Sequence, residues 1–140
     1  MRTILAITIL LVSIGTNAQD IDKTKCEKVS TYANGNIKKC KLKEITKEDG
    51  HLCRSWIWFH ENKRIKQCTT AESFNFGNYR IPNGSVVFFD TVGLVQKVWL
   101  SEPVIYDWIK CLAKNNEIEV SFHPNKKMKS CFLLEDQVIQ

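Results

Sequence analysis

Ser55-Trp56-Ile57-Trp58-Phe59-His60-Glu61-Asn62-Lys63-Arg64-Ile65-Lys66-Gln67-Cys68 reads as two β-forming segments around a polar turn. Aromatic and β-branched residues dominate the first segment and suit a pleated, half-buried surface. Asn62 tolerates the left-handed backbone of a tight hairpin, and Asn-Gly is the stronger form of the same signal. In the second segment Ile65-Lys66-Gln67-Cys68 carries an apolar group at each end. The alternation is incomplete, but it lies closer to period 2 than to period 3.6. The stretch therefore predicts a β-hairpin.

The same pattern occurs four times. Phe59 to Cys68 aligns without gaps on Thr31-Tyr32-Ala33-Asn34-Gly35-Asn36-Ile37-Lys38-Lys39-Cys40. It aligns equally on Phe89 to Val98 and on Phe122 to Cys131. The copies start 28, 30 and 33 residues apart. Leucine follows two places later in three copies (Leu42, Leu100, Leu133) and glutamate four places later in all four (Glu44, Glu72, Glu102, Glu135). One hairpin buries too little apolar surface to be stable in water, so the units must stack edge to edge. The expected fold is all-β, an antiparallel meander of four repeated hairpins, roughly eight strands in an elongated or curved sheet. The units fall near 26–42, 53–70, 81–100 and 111–134. Residues 101–114 admit two readings. Ser101-Glu102-Pro103 resembles a helix start that would put Val104, Ile105, Trp108 and Leu112 on one face. The repeat makes the segment an extended connector instead, and that is the reading expected here.

The start of the chain is a different kind of sequence. Arg2 precedes an apolar run, Ile4 to Ile14, and the small residues of Thr16-Asn17-Ala18 follow. This is the layout of a secretory signal peptide over residues 1–18, cleaved after Ala18 or Gln19. Residues 19–140 then form one domain, secreted or periplasmic, with no stable membrane span after cleavage. Without Arg2 the chain has 19 basic and 15 acidic residues, a formal charge of +4. The lysines are dispersed, which with export excludes a nucleic-acid partner.

All six cysteines, Cys26, Cys40, Cys53, Cys68, Cys111 and Cys131, follow the export signal, an arrangement that points to disulfides. The third unit carries Ile81 and Val98 where the others carry cysteine, so both partners of one bridge are missing together. The expected pairs are Cys26–Cys40, Cys53–Cys68 and Cys111–Cys131, each closing a loop worth about 3 kcal/mol in the chain-entropy model. The competing register pairs Cys40 with Cys53.

Trp56 to Lys66, with Tyr32 to Lys38 and Phe122 to Lys129, resembles the MORN-like repeat of the YwqK type, in which an aromatic strand, an Asn-Gly-like turn and a lysine-bearing strand recur. The resemblance covers residues 31–140 and implies an exported repeat protein of the kind found in Bacteroidetes-like bacteria. Most glycines of a full MORN repeat are absent, and Val92 replaces the turn asparagine of the third unit. No functional residue is carried over.

Chemistry is sparse. His60 and His123 share a repeat position with Tyr32 and Asp90, which suits a hairpin shoulder better than a ligand or base. His51 has no histidine partner at metal-binding spacing. The glutamates recur once per unit and mark a structural position. No catalytic residue, metal ligand or cofactor follows. Trp56 and Trp58 share one strand face. They are expected to pack the sheet core, and stacking on a ligand is the alternative. The expected function is a non-catalytic binding or structural module of the cell envelope, with an envelope protein or glycan as partner. The alternative is an inhibitor or immunity protein acting on a secreted enzyme or toxin, and an enzyme ranks third.

Overall fold

The computed structural model describes residues 20–113 and 118–133; the signal-peptide expectation for 1–18 and Glu135 lie outside that range. After a short 3-10 turn at Lys23–Lys25, thirteen strands follow: β1 (Cys26–Thr31), β2 (Ile37–Leu42), β3 (Thr46–Glu48), β4 (His51–Phe59) and β5 (Ile65–Thr70). Next come β6 (Phe74–Phe76), β7 (Tyr79–Ile81), β8 (Val86–Phe89) and β9 (Val95–Trp99). The last are β10 (Val104–Tyr106), β11 (Ile109–Cys111), β12 (Glu119–Phe122) and β13 (Met128–Ser130). The main sheet runs β1-β2-β4-β5-β8-β9-β12-β13 with β3 added on β4, all antiparallel. The all-β meander of hairpins expected from the sequence is therefore the observed fold.

The four long hairpins turn in the same way. Tyr32, His60, Asp90 and His123 each receive a backbone bond from the residue three places on and donate one to the carbonyl four places on. The third turn residue has positive φ in every copy: Gly35 (84°), Lys63 (70°), Gly93 (90°) and Lys126 (65°). Three turns are clamped by asparagine, whose Oδ1 accepts from the backbone two residues on: Asn34 from Asn36, Asn62 from Arg64, Asn125 from Lys127. Val92 cannot accept such a bond. In that unit Asp90 Oδ1 takes over, receiving the backbone N–H groups of Val92 and Leu94 at 2.9 Å each. The missing asparagine is thus compensated two residues upstream.

Beside each turn the register slips by one residue, between Ser30/Thr31, Trp58/Phe59, Phe88/Phe89 and Ser121/Phe122. The residue left unpaired is Lys38, Lys66, Gln96 or Lys129. Such a bulge inserts one residue into the alternation. It lets Ile37 and Cys40, three apart, both reach the core, and likewise Ile65 and Cys68. The broken alternation in the sequence is this bulge.

Directly opposed residues share a sheet face. The register therefore defines one row across seven strands: Val29, Cys40, Ile57, Cys68, Val87, Val98 and Val120. All but Val29, on the edge strand, have 0% exposure. Burial of each valine or isoleucine among them is worth about 1.5–3 kcal/mol, so the row is the main apolar seam.

Small hairpins complete that core. β6-β7 and β10-β11 are separate two-stranded sheets, and β3 pairs with the start of β4 in the same manner. They begin at Thr46, Phe74 and Val104, so they follow the repeat. Phe76, Tyr79, Ile81, Tyr106 and Cys111 join the residues of the seam in one cluster. The segment from residue 101, expected as an extended connector, is therefore largely a β10-β11 hairpin. Its turn, Asp107-Trp108, has φ of 47° and 67°, matching Asp49-Gly50 at 45° and 84°. Two positive φ values in a two-residue loop define the type I′ turn.

Cys53, Ile81 and Cys111 occupy one position, opposite Thr46, Phe74 and Val104. Cys26–Cys40 and Cys111–Cys131 are disulfides, with Cα separations of 5.6 and 5.7 Å, as expected from the repeat. The second unit departs from the expectation. Cys53 and Cys68 are buried thiols, not a bridge. β1 has one unpaired residue, Glu27, between its cysteine and the ladder, whereas β4 has two, Ser55 and Trp56. The extra residue leaves the pairing geometry unchanged: Cys53 opposes Thr70, two places after Cys68, as Cys26 opposes Leu42, two places after Cys40. The thiols still interact: the adjacent Cys68 thiol, then burial, pushes the Cys53 thiol well above its usual range.

Candidate binding face

The side of the main sheet opposite the seam carries the residues that can meet a ligand. Opposed pairs give a second row: Ser30, Lys39, Trp58, Gln67, Phe88, Lys97, Ser121, Ser130. A neighbouring row runs Lys28, Lys41, Trp56 on one side and Arg54, Thr69, Val86, Trp99, Glu119 on the other. The two-residue bulge at Ser55-Trp56, with Ser55 at φ 65°, separates the halves.

Trp56 and Trp58 were expected in the core. They lie instead on this outer face, half-buried, while Ile57 and Phe59 point into the core. Their ring centroids are 6.0 Å apart. Phe88 and Trp99 form a second aromatic pair at 4.7 Å, edge to face. Lysines lie over these rings: Lys39 Nζ is 5.3 Å from the Trp56 centroid and Lys97 Nζ 4.8 Å from that of Phe88. Lys41 pairs with Glu27 at 2.8 Å and Lys97 with Glu119 at 3.1 Å. Phe88 and Trp99 escaped the sequence reading as site residues. The signal was available, since Phe88 holds the repeat position of Trp58 and Lys97 that of Lys39.

The histidines stand elsewhere. His60 Nε2 is 3.0 Å from the Phe89 carbonyl oxygen, so the ring ties its own turn to the next unit. Tyr32 does the same one unit earlier, donating its hydroxyl to the Phe59 carbonyl at 2.8 Å. His51 packs between Phe74 and Phe89, both centroids at 4.8 Å, and burial pushes its pKa down. Among the described residues no group of three or more His, Cys, Asp or Glu is placed to hold a metal ion. Glu44, Glu72 and Glu102 are exposed at the links into the small hairpins.

Two grooves flank the small hairpins. One, about 360 Å³, lies between Arg80, Glu102 and Ile105; the other, about 490 Å³, is lined by Tyr79, Asp107, Asn125 and Lys127. Tyr79 Oη donates to Asp107 at 2.6 Å, a bond that with the nearby negative charge raises the phenol's pKa. At the tip of β10-β11, Trp108 is 98% exposed and Ile105 68%. Among the described residues no helix is long and apolar enough to cross a membrane. Comparison with family models, curated proteins and solved structures gives no match.

Proposed function

We propose that the chain is a secreted or periplasmic, non-catalytic repeat module of the cell envelope, MORN-like in kind, that binds an envelope protein or glycan through the open face of its sheet. The observation that carries this reading is the set of four half-buried aromatic rings, Trp56, Trp58, Phe88 and Trp99, on the face turned away from the core. Aromatic side chains present large, rigid contact area and dominate many binding surfaces. Two disulfides support an oxidising location. The test is capture from the envelope fraction of the producing cells on immobilised protein. A component retained by the wild type and released by Trp56→Ala plus Trp58→Ala supports the reading. Retention that ignores those changes contradicts it.

The inhibitor reading has its own support. The β10-β11 tip projects Trp108 and Ile105 into solvent, a shape suited to entering the cleft of a secreted enzyme or toxin. Under that reading Trp108→Ala, not the outer-face pair, abolishes capture.

A further inference from the structure

We propose that the outer face binds an anionic polysaccharide laid across the strands, with Trp58 and Phe88 as stacking platforms and Lys39 and Lys97 as flanking cations. This inference rests on the envelope-binding reading and names the class of ligand.

The order of side chains carries it. Along the outer row the register reads Lys39, Trp58, Gln67, Phe88, Lys97 on five neighbouring strands, β2, β4, β5, β8 and β9. Trp58 and Phe88 are two strand spacings apart, about 10 Å, the length of roughly two sugar rings in an extended chain. Between them Gln67 offers amide donors and an acceptor at the level where ring hydroxyls would lie. A chain running perpendicular to the strands thus meets a ring, an amide and a ring in turn, with an ammonium at either end.

Charge selects the kind of sugar. The two outer rows carry Lys28, Lys39, Lys41, Arg54 and Lys97 against Glu119, and Glu27 reaches Lys41 from β1. The excess is positive, which favours a polyanion. The lysines also act as movable covers. Lys39 and Lys97 lie over the faces of Trp56 and Phe88. Such contacts are weak at exposed sites. A uronate carboxylate can draw the Lys97 ammonium aside and expose Phe88 to the sugar's C–H face. The bulge adds an independent sign. Among the described hairpins only β4 against β5 carries two unpaired residues at one slip, and the second is Trp56. Bulges beside binding sites commonly re-aim a side chain.

The test is affinity gel electrophoresis of the full chain in polygalacturonate, with neutral hydroxyethylcellulose as control. We expect retardation by polygalacturonate that falls as salt rises. Trp58→Ala plus Phe88→Ala should weaken binding about tenfold or more, the equivalent of about 1.4 kcal/mol. Lys39→Gln plus Lys97→Gln should also weaken it, and Trp58→Phe plus Phe88→Tyr, which keeps both rings and guards against misfolding, should not. Absence of retardation, equal retardation by the neutral polymer, or indifference to the aromatic truncation overturns the proposal. If envelope capture yields a Trp56- and Trp58-dependent protein while polygalacturonate fails, this inference falls and the module reading stands. If both fail, both fall.

Discussion

Replacing Trp108 by glycine should stabilise the protein. Trp108 sits at φ 67° in a turn whose counterpart two repeat units earlier is Asp49-Gly50. An L-residue in the left-handed region costs about 1–2 kcal/mol through contact between Cβ and the backbone. Glycine avoids that cost but loses more freedom on folding, about 0.5–1 kcal/mol. Trp108 is 98% exposed, so no packing is lost with its ring. The net gain is about 0.5–1 kcal/mol, or about 2–4 °C in Tm for a domain of this size. The structure supplies the reverse experiment. A Cβ at Gly50 would meet nothing within 4 Å, so Gly50→Trp is opposed by φ 84° alone and should lower Tm by a similar amount. Thermal unfolding followed by far-UV circular dichroism measures both. A Trp108→Gly protein that melts at or below the wild-type temperature, or a Gly50→Trp protein that melts unchanged, would refute the left-handed assignment and the turn equivalence with it.

Asp90→Ala strips the third turn of its side-chain acceptor and should cost about 1 kcal/mol by chemical denaturation, as for other lost caps; adding Val92→Asn, the residue used by the other three turns, should restore most of it. His51 is held neutral by burial between two rings, so its folded pKa lies below the unfolded value. On acidification the unfolded chain takes up the proton first, so stability should begin to fall as pH drops through the unfolded pKa near about 6.5 and keep falling until the lower folded pKa is reached. In His51→Tyr, the residue at the same place in the next unit, that slope should vanish from pH-dependent melts. Cys53 and Cys68 hold the repeat positions of the two bonded pairs. A disulfide oxidant such as oxidised glutathione should close them by exchange, and peptide mapping should then recover Cys53–Cys68; a Cys40–Cys53 peptide would show that repeat position does not govern pairing. That closure should add about 3 kcal/mol in the chain-entropy model, read as a shift in denaturation midpoint.

Much of this architecture was legible because local chemistry repeats where local geometry repeats. The Asn34, Asn62 and Asn125 turns advertised themselves, since few side chains both accept a backbone bond two residues on and suit a left-handed neighbour. Cys53, Ile81 and Cys111 were aligned correctly because all three meet the same buried environment. The small hairpins were harder to see. Strands of three residues, such as Val104–Tyr106, leave too little alternation to distinguish from a helical face or a plain connector. Parity was hidden too. One-residue bulges at Lys38, Lys66 and Gln96 shift which residues face inward, and they left the alternation looking imperfect. The outer face suffered most, because apolar character alone placed Trp56 and Trp58 in the core. Only the register, with buried Ile57 and Phe59 on either side of Trp58, shows that the indoles are on the other side. Cys53 opposes Thr70 just as Cys26 opposes Leu42 and Cys111 opposes Leu133, so neither spacing nor register separates the unbonded pair from the bonded ones.

Cross-strand backbone NOEs along the buried row offer the sharpest trial of a sheet grown from like two-stranded units. Contacts linking Cys40 to Ile57, Ile57 to Cys68, Cys68 to Val87, Val87 to Val98, and Val98 to Val120 should appear together in an NMR spectrum of the isotope-labelled protein. Contacts that instead join these residues out of order, or a helical pattern over Val104 to Cys111, would contradict it.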